Sequence, residues 1–143
     1  QDRREHCSRI CRGEFLKVAV DTSVVVRLLV GEPQGQFAKA KKLLENLFAR
    51  GERACVSDLV CAEAYFALRH HYGLPEIEAG RLLHSLLRAA VIAAEPPGLD
   101  EIFTGSSSAG VVDRMIVLRH NALGLQTLTC DRGQAKLDNA SLI

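Results

Sequence analysis

The feature that most constrains this chain is "KVAVDTSVVVRLL", Lys17 to Leu29. Phe15 to Val20 is a short apolar run rich in Val, with no polar alternation. That is how a strand buried on both faces of a parallel sheet reads. Asp21 then interrupts it, and "TSVVVRLLV" is predicted as a helix ending at Gly31. A carboxylate at such a handover can cap the helix, bind a ligand, or do both.

The strand-then-helix pattern recurs along the chain. A turn cluster, "GEPQGQ", precedes a helix over residues 36–50, where Phe37, Ala40, Leu43, Leu44 and Leu47 recur at helical spacing and Gly51 ends it. Its lysines, Lys39, Lys41 and Lys42, form a solvated face. "ACVS" is a second strand, and Ser57 or Asp58 caps the helix "LVCAEAYFALRHHYG". Pro75 opens another helix, "VIAA" is a third strand, and Leu99 to Phe103 is a short helix. After the small-residue loop "TGSSSAG" come a helix, "VVDRMIVLRHNALG", and a fourth strand, "LQTLT". "CDRGQAKLDN" holds a short helix, and "SLI" starts a last strand. Alternation of this kind predicts an α/β fold. The expectation is a three-layer α/β/α arrangement around a central, mainly parallel sheet of four or five strands.

Length and composition fit one such domain over residues 15–143. The chain is 48% hydrophobic without Trp, so Leu, Val and Ala must fill its core. Eighteen Lys+Arg against 17 Asp+Glu leave no global charge to announce a nucleic-acid partner. Residues 1–14 are polar and aperiodic, and read as a flexible leader or cloning remnant outside the fold. Cys7, Cys11, Cys55, Cys61 and Cys130 are odd in number, and the last three sit among apolar residues. Buried, reduced thiols are expected, which suits a cytoplasmic location. No apolar run is long enough for a membrane span, and no His or Cys set has zinc-site spacing.

Four acids stand out against this background. Asp21 follows strand one, and Asp131 follows strand four, two residues after Thr129. Glu63 lies within an apolar helical stretch, and Asp113 lies near the start of another, both where the pattern predicts burial. In a parallel sheet the ends of strands and the starts of following helices share one edge, where ligands bind. All four acids are therefore expected to meet in one pocket. Each alone also has a structural explanation: a cap, a turn, a helix-dipole partner, or an ion pair with Arg27 or Arg69. Together, four carboxylates repel one another unless a cation intervenes. Mg²⁺ or Mn²⁺ takes oxygen ligands and commonly binds through carboxylates, water and phosphate. Metal-assisted phosphodiester hydrolysis is the chemistry this suggests.

The order "AVDTSVVVRLL", "VSDLVCAEAYFAL", "GVVDRMIVL", "TLTCDRGQAKL" resembles PIN-domain ribonucleases of the VapC-like toxin kind, over roughly residues 15–143. The resemblance implies that Asp21, Glu63, Asp113 and Asp131 are the metal-binding catalytic acids, with Thr22, Ser23 and Thr129 as supporting hydroxyls. It also implies an Mg²⁺- or Mn²⁺-dependent endoribonuclease, a homodimer, and a small antitoxin partner. Two departures stand out. Relatives commonly read "D-A-L-I" where this chain has "DRMI", and no acid lies one turn before Asp113. The second departure favours one metal ion over two.

Cations must offset the acids if RNA is to approach. Arg27, Arg69, Arg114 and Arg132 all lie within a turn or two of an acid, and are candidate phosphate contacts. Tyr65 and Phe66 are expected to pack in the core rather than stack on bases. The alternatives are an aspartyl-phosphate enzyme, a nucleotide binder, and a PIN-like domain that binds RNA or a partner without cutting. Ser23 stands where a phosphatase of the first kind would need its second Asp. The second would need a Gly-rich loop after strand one, and none follows.

Overall fold

The computed structural model describes residues 16–104, 107 and 109–143. The leader and its His6, Cys7 and Cys11 lie outside the described residues, as do residues 105, 106 and 108 of the small-residue loop. Five strands and five α-helices alternate: β1 (Leu16–Ala19), α1 (Thr22–Val30), α2 (Gln34–Ala49), β2 (Arg53–Ser57), α3 (Asp58–His70), α4 (Glu76–Leu87), β3 (Ile92–Glu95), α5 (Val111–Ala122), β4 (Thr127–Thr129) and β5 (Ala140–Leu142). Short 3₁₀ turns occupy Leu99–Phe103 and Gln134–Lys136.

All strand pairing is parallel, as an α/β fold with covered sheet faces requires. β2 lies between β1 and β3, with Ala54 opposite Val18 on one side and Ile92 on the other. β4 and β5 form a separate two-stranded ladder, with Thr127 opposite Ala140. Four or five strands in one sheet are expected from sequence; among the described residues there are five, and they pair as three plus two. β4 is three residues long, and only Thr127 in it is buried, so little apolar area drives it into a wider sheet. The fold is the three-layer α/β/α arrangement expected.

The sheet and the inner helix faces meet in one core. Val25, Leu47, Val56, Leu68, Leu83 and Ile92 are fully buried there. Removing one such Leu side chain leaves a cavity and typically costs 2–5 kcal/mol. α1 packs on both α2 and α3, which brings the first strand–helix junction against the middle of α3. Gly31 closes α1 in the left-handed region at φ +76°, donating its N–H to the Arg27 carbonyl. A side chain would be strained there.

Three sequence expectations about burial need correction. Cys61 is buried and Cys55 half-buried, but Cys130 is exposed, since β4 ends just before it and the chain turns outward. Burial pushes the Cys61 thiol up to about 12, with nearby Asp58 adding to the effect, so it stays a neutral thiol. Glu63 is exposed rather than buried. Phe66 is 48% exposed, whereas its neighbour Tyr65 is buried. The helical repeat explains both misses. Cys61, Ala64, Tyr65 and Leu68 form the buried stripe of α3, and positions 63 and 66 fall outside it.

Candidate active site

Asp21 is the N-cap of α1. Its Oδ1 accepts hydrogen bonds from Ser23 Oγ (2.7 Å) and the Val24 amide (3.2 Å). These two donors, the hydroxyl foremost, hold its pKa below the usual carboxylate value. The cap and the Ser23 hydroxyl both use Oδ1, and neither engages Oδ2. Capping and ligand binding are therefore compatible in this side chain. The hydroxyl of Ser23 fixes the carboxylate's rotation, a part that sequence assigned to it only by resemblance.

Asp21 and Glu63 line the same hollow, of about 570 Å³. Thr22 and Ser23 line it from the start of α1, Arg27 from its last turn, and His71 and Tyr72 from just past the end of α3. Glu63, Ala67 and His71 are spaced four apart, which puts them on one face of α3 and its cap. Arg27 donates from Nε to Gln36 Oε1 at 2.6 Å, and so is anchored without being paired to either acid. Sequence reading had Arg27 near this site but gave His71 and Tyr72 no part in it. Their only signal was the four-residue step from Glu63 through Ala67.

Asp113 lies half-buried in the first turn of α5 and lines a second hollow, of about 320 Å³. Phe66, Arg69 and His70 face that hollow from the adjoining face of α3, and Glu76 from the start of α4. Arg69 donates to the Leu74 carbonyl (3.1 Å). Arg114 lines an adjoining hollow with Tyr65 and Glu76, and its buried Nε has no hydrogen-bond partner.

Asp131 is exposed, in the loop after β4. Its amide donates to Thr129 Oγ1 (3.0 Å), and its Oδ1 accepts from the Gln134 amide (2.7 Å). Gln134, a buried polar residue that sequence reading passed over, donates from Nε2 to the Asp113 carbonyl (3.3 Å). This bond ties the Asp131 loop to the first turn of α5. Arg132 is exposed and makes no hydrogen bond or ion pair among the described residues.

The single pocket expected from sequence is thus resolved into two hollows on neighbouring faces of α3, with the Asp131 loop fastened to the second. Among the described residues, no three of His, Cys, Asp and Glu are grouped so as to hold a metal ion. Equally, none of the four acids is in a salt bridge there. The ion pairs are Lys41–Glu45, Arg50–Glu52, Arg88–Asp100 and Asp58–Arg119. The donor chemistry suits a hard divalent cation. Such an ion keeps several waters and commonly takes only one or two carboxylates, which the Asp21–Glu63 hollow offers.

Comparison with family models matches residues 18–140 to the PIN domain. Comparison with curated proteins finds no match, and comparison with solved structures finds none either.

Proposed function

Because this chain belongs to the PIN domain family, we propose that it is a divalent-metal-dependent endoribonuclease, with Asp21, Glu63, Asp113 and Asp131 as its catalytic acids. The observation that carries this reading is the hollow that Asp21 and Glu63 both line, with Arg27 at its wall bonded to Gln36 rather than to either acid. Two carboxylates and a phosphate could share a hard divalent cation at such a hollow. Asp21 and Glu63 would hold Mg²⁺ or Mn²⁺, and Asp113 and Asp131 are the further acids of the proposed site. Bound there, the ion supplies Lewis acidity to a phosphodiester and acidifies water. Ser23 keeps the Asp21 carboxylate oriented, and Thr129 holds the backbone of Asp131. Arg27 at the wall of the hollow offers positive charge to the RNA phosphates that the acids repel. Arg69, Arg114 and Arg132 extend that role along the substrate.

The motif order resembles VapC-like toxins. We read the protein as the toxin of a toxin–antitoxin pair, a cytoplasmic homodimer restrained by a small antitoxin. Among the described residues no helix is long and apolar enough to cross a membrane.

One observation favours a second reading, a PIN-like domain that binds RNA or a partner without cutting: no three acids are gathered among the described residues. A nuclease assay separates the two. The purified protein should cut single-stranded RNA with Mg²⁺, stop in EDTA, and resume when Mg²⁺ is restored in excess. Cutting that persists in EDTA, or an Asp21→Asn variant as fast as the parent, would refute the metal-nuclease reading.

A further inference from the structure

We infer that Phe66 and His70 form a stacking platform for an unpaired base of the RNA, beside Asp113. The inference rests on the nuclease reading for its substrate class, but on separate residues for its argument. Phe66 is 48% exposed in a chain with few aromatics. Its ring lies nearly parallel to His70, at 13° and 6.0 Å between centroids. Buried Tyr65 meets it edge-on at 5.8 Å and 73°, which steadies the platform from below. Both Phe66 and His70 open onto the hollow that Asp113 lines.

Charge decides which part of a nucleotide enters. Asp113 and Glu76 both face this hollow against the one guanidinium of Arg69, so the part beside Phe66 favours a neutral base over a second phosphate. A base is neutral, and its amino groups can donate to a carboxylate. Among the described residues Arg69 commits one nitrogen, to the Leu74 carbonyl, and the rest of its guanidinium is placed to hold the phosphate at the rim. Aromatic stacking outside and cation at the edge is the arrangement by which proteins grip single strands.

The test measures binding apart from cutting. In an Asp21→Asn background with Mg²⁺, the affinity of a fluorescein-labelled oligoadenylate is read by anisotropy. Adding Phe66→Ala should weaken binding about tenfold, as loss of one stacked base does. Phe66→Tyr should bind as the background does. Leu59→Ala, another exposed apolar position on α3, should leave affinity unchanged. If Phe66→Ala binds as tightly as its background, the platform is refuted. If Phe66→Ala leaves RNA affinity intact but changes the sedimentation of the protein, the face is a protein contact and the inference also fails. Platform-dependent binding by a parent that never cuts would keep the platform and remove the nuclease reading.

Discussion

Two acids at the start of helices, Asp21 and Asp58, meet opposite fates. Asp58 follows β2 and receives a bidentate guanidinium: Arg119 Nε at 2.6 Å to Oδ2, and a second nitrogen at 2.5 Å to Oδ1. Burial pushes the Asp58 carboxyl up, but the Arg119 hydrogen bonds, the Leu59 amide and the Arg119 charge together outweigh it and hold the pKa below the usual value. The pair fastens α5 to α3. Asp21 follows β1, a neighbouring strand of the same parallel sheet, and has a hydroxyl and an amide but no cation. A carboxylate serving the fold has been given its counter-charge inside the chain. One left with neutral donors has an oxygen available for something outside it.

The sharpest test of that contrast is Asp113→Asn. Cleavage should fall by orders of magnitude while the fold survives, with a thermal midpoint equal to or above the parent's in the absence of metal, since a repelling charge is removed. A midpoint several degrees lower would make Asp113 structural and erase the distinction.

Arg119→Ala should do the reverse, destabilising the protein in urea by about 1–2 kcal/mol while leaving metal-dependent cleavage by the folded protein intact. The Asp58 side chain is 10% exposed and would be left unpaired, while solvent at the half-exposed guanidinium moderates the loss. A double-mutant cycle with Asp58→Ala that returns no coupling would break the comparison.

Ser57→Ala should cost about 1 kcal/mol, because Ser57 Oγ accepts the Val60 amide at the N-terminus of α3. Chemical denaturation of the variant reads this directly, and an unchanged midpoint would show that Asp58 takes over the cap.

The smallest effect is pH dependence. The Asp58 carboxyl has a lowered folded pKa, so its stabilisation is present above the ordinary value near 3.8 and is lost as pH falls through the lower folded value. Stability of the parent should therefore fall more steeply than that of Arg119→Ala on acidification through and below that value. Parallel curves would mean the pair contributes little.

How much of this was legible beforehand follows from how local each cause is. Asp21 as a cap, a cap of α3 at Ser57 or Asp58, and the Val-rich β1 depend on residues a few positions apart and were legible in the sequence; the structure chose Ser57. The strand count was legible too; the division into three and two was not, because pairing joins residues far apart in sequence. Glu63 and Phe66 were misjudged because composition around a residue says little about which stripe of its helix faces inward. The Gln134 bond to Asp113 spans 21 residues and left no local trace.

By itself, then, the sequence determined the kind of fold, the order of its strands and helices, and the carboxylates at their junctions, since propensity, capping and helical spacing act over a turn or two. Tertiary packing alone decided which of those acids acquired a guanidinium, which shared a hollow, and which aromatic ring was left facing solvent. Charges are neutralised, and surfaces covered, by whatever the fold brings close, and that distance is set in space rather than along the chain.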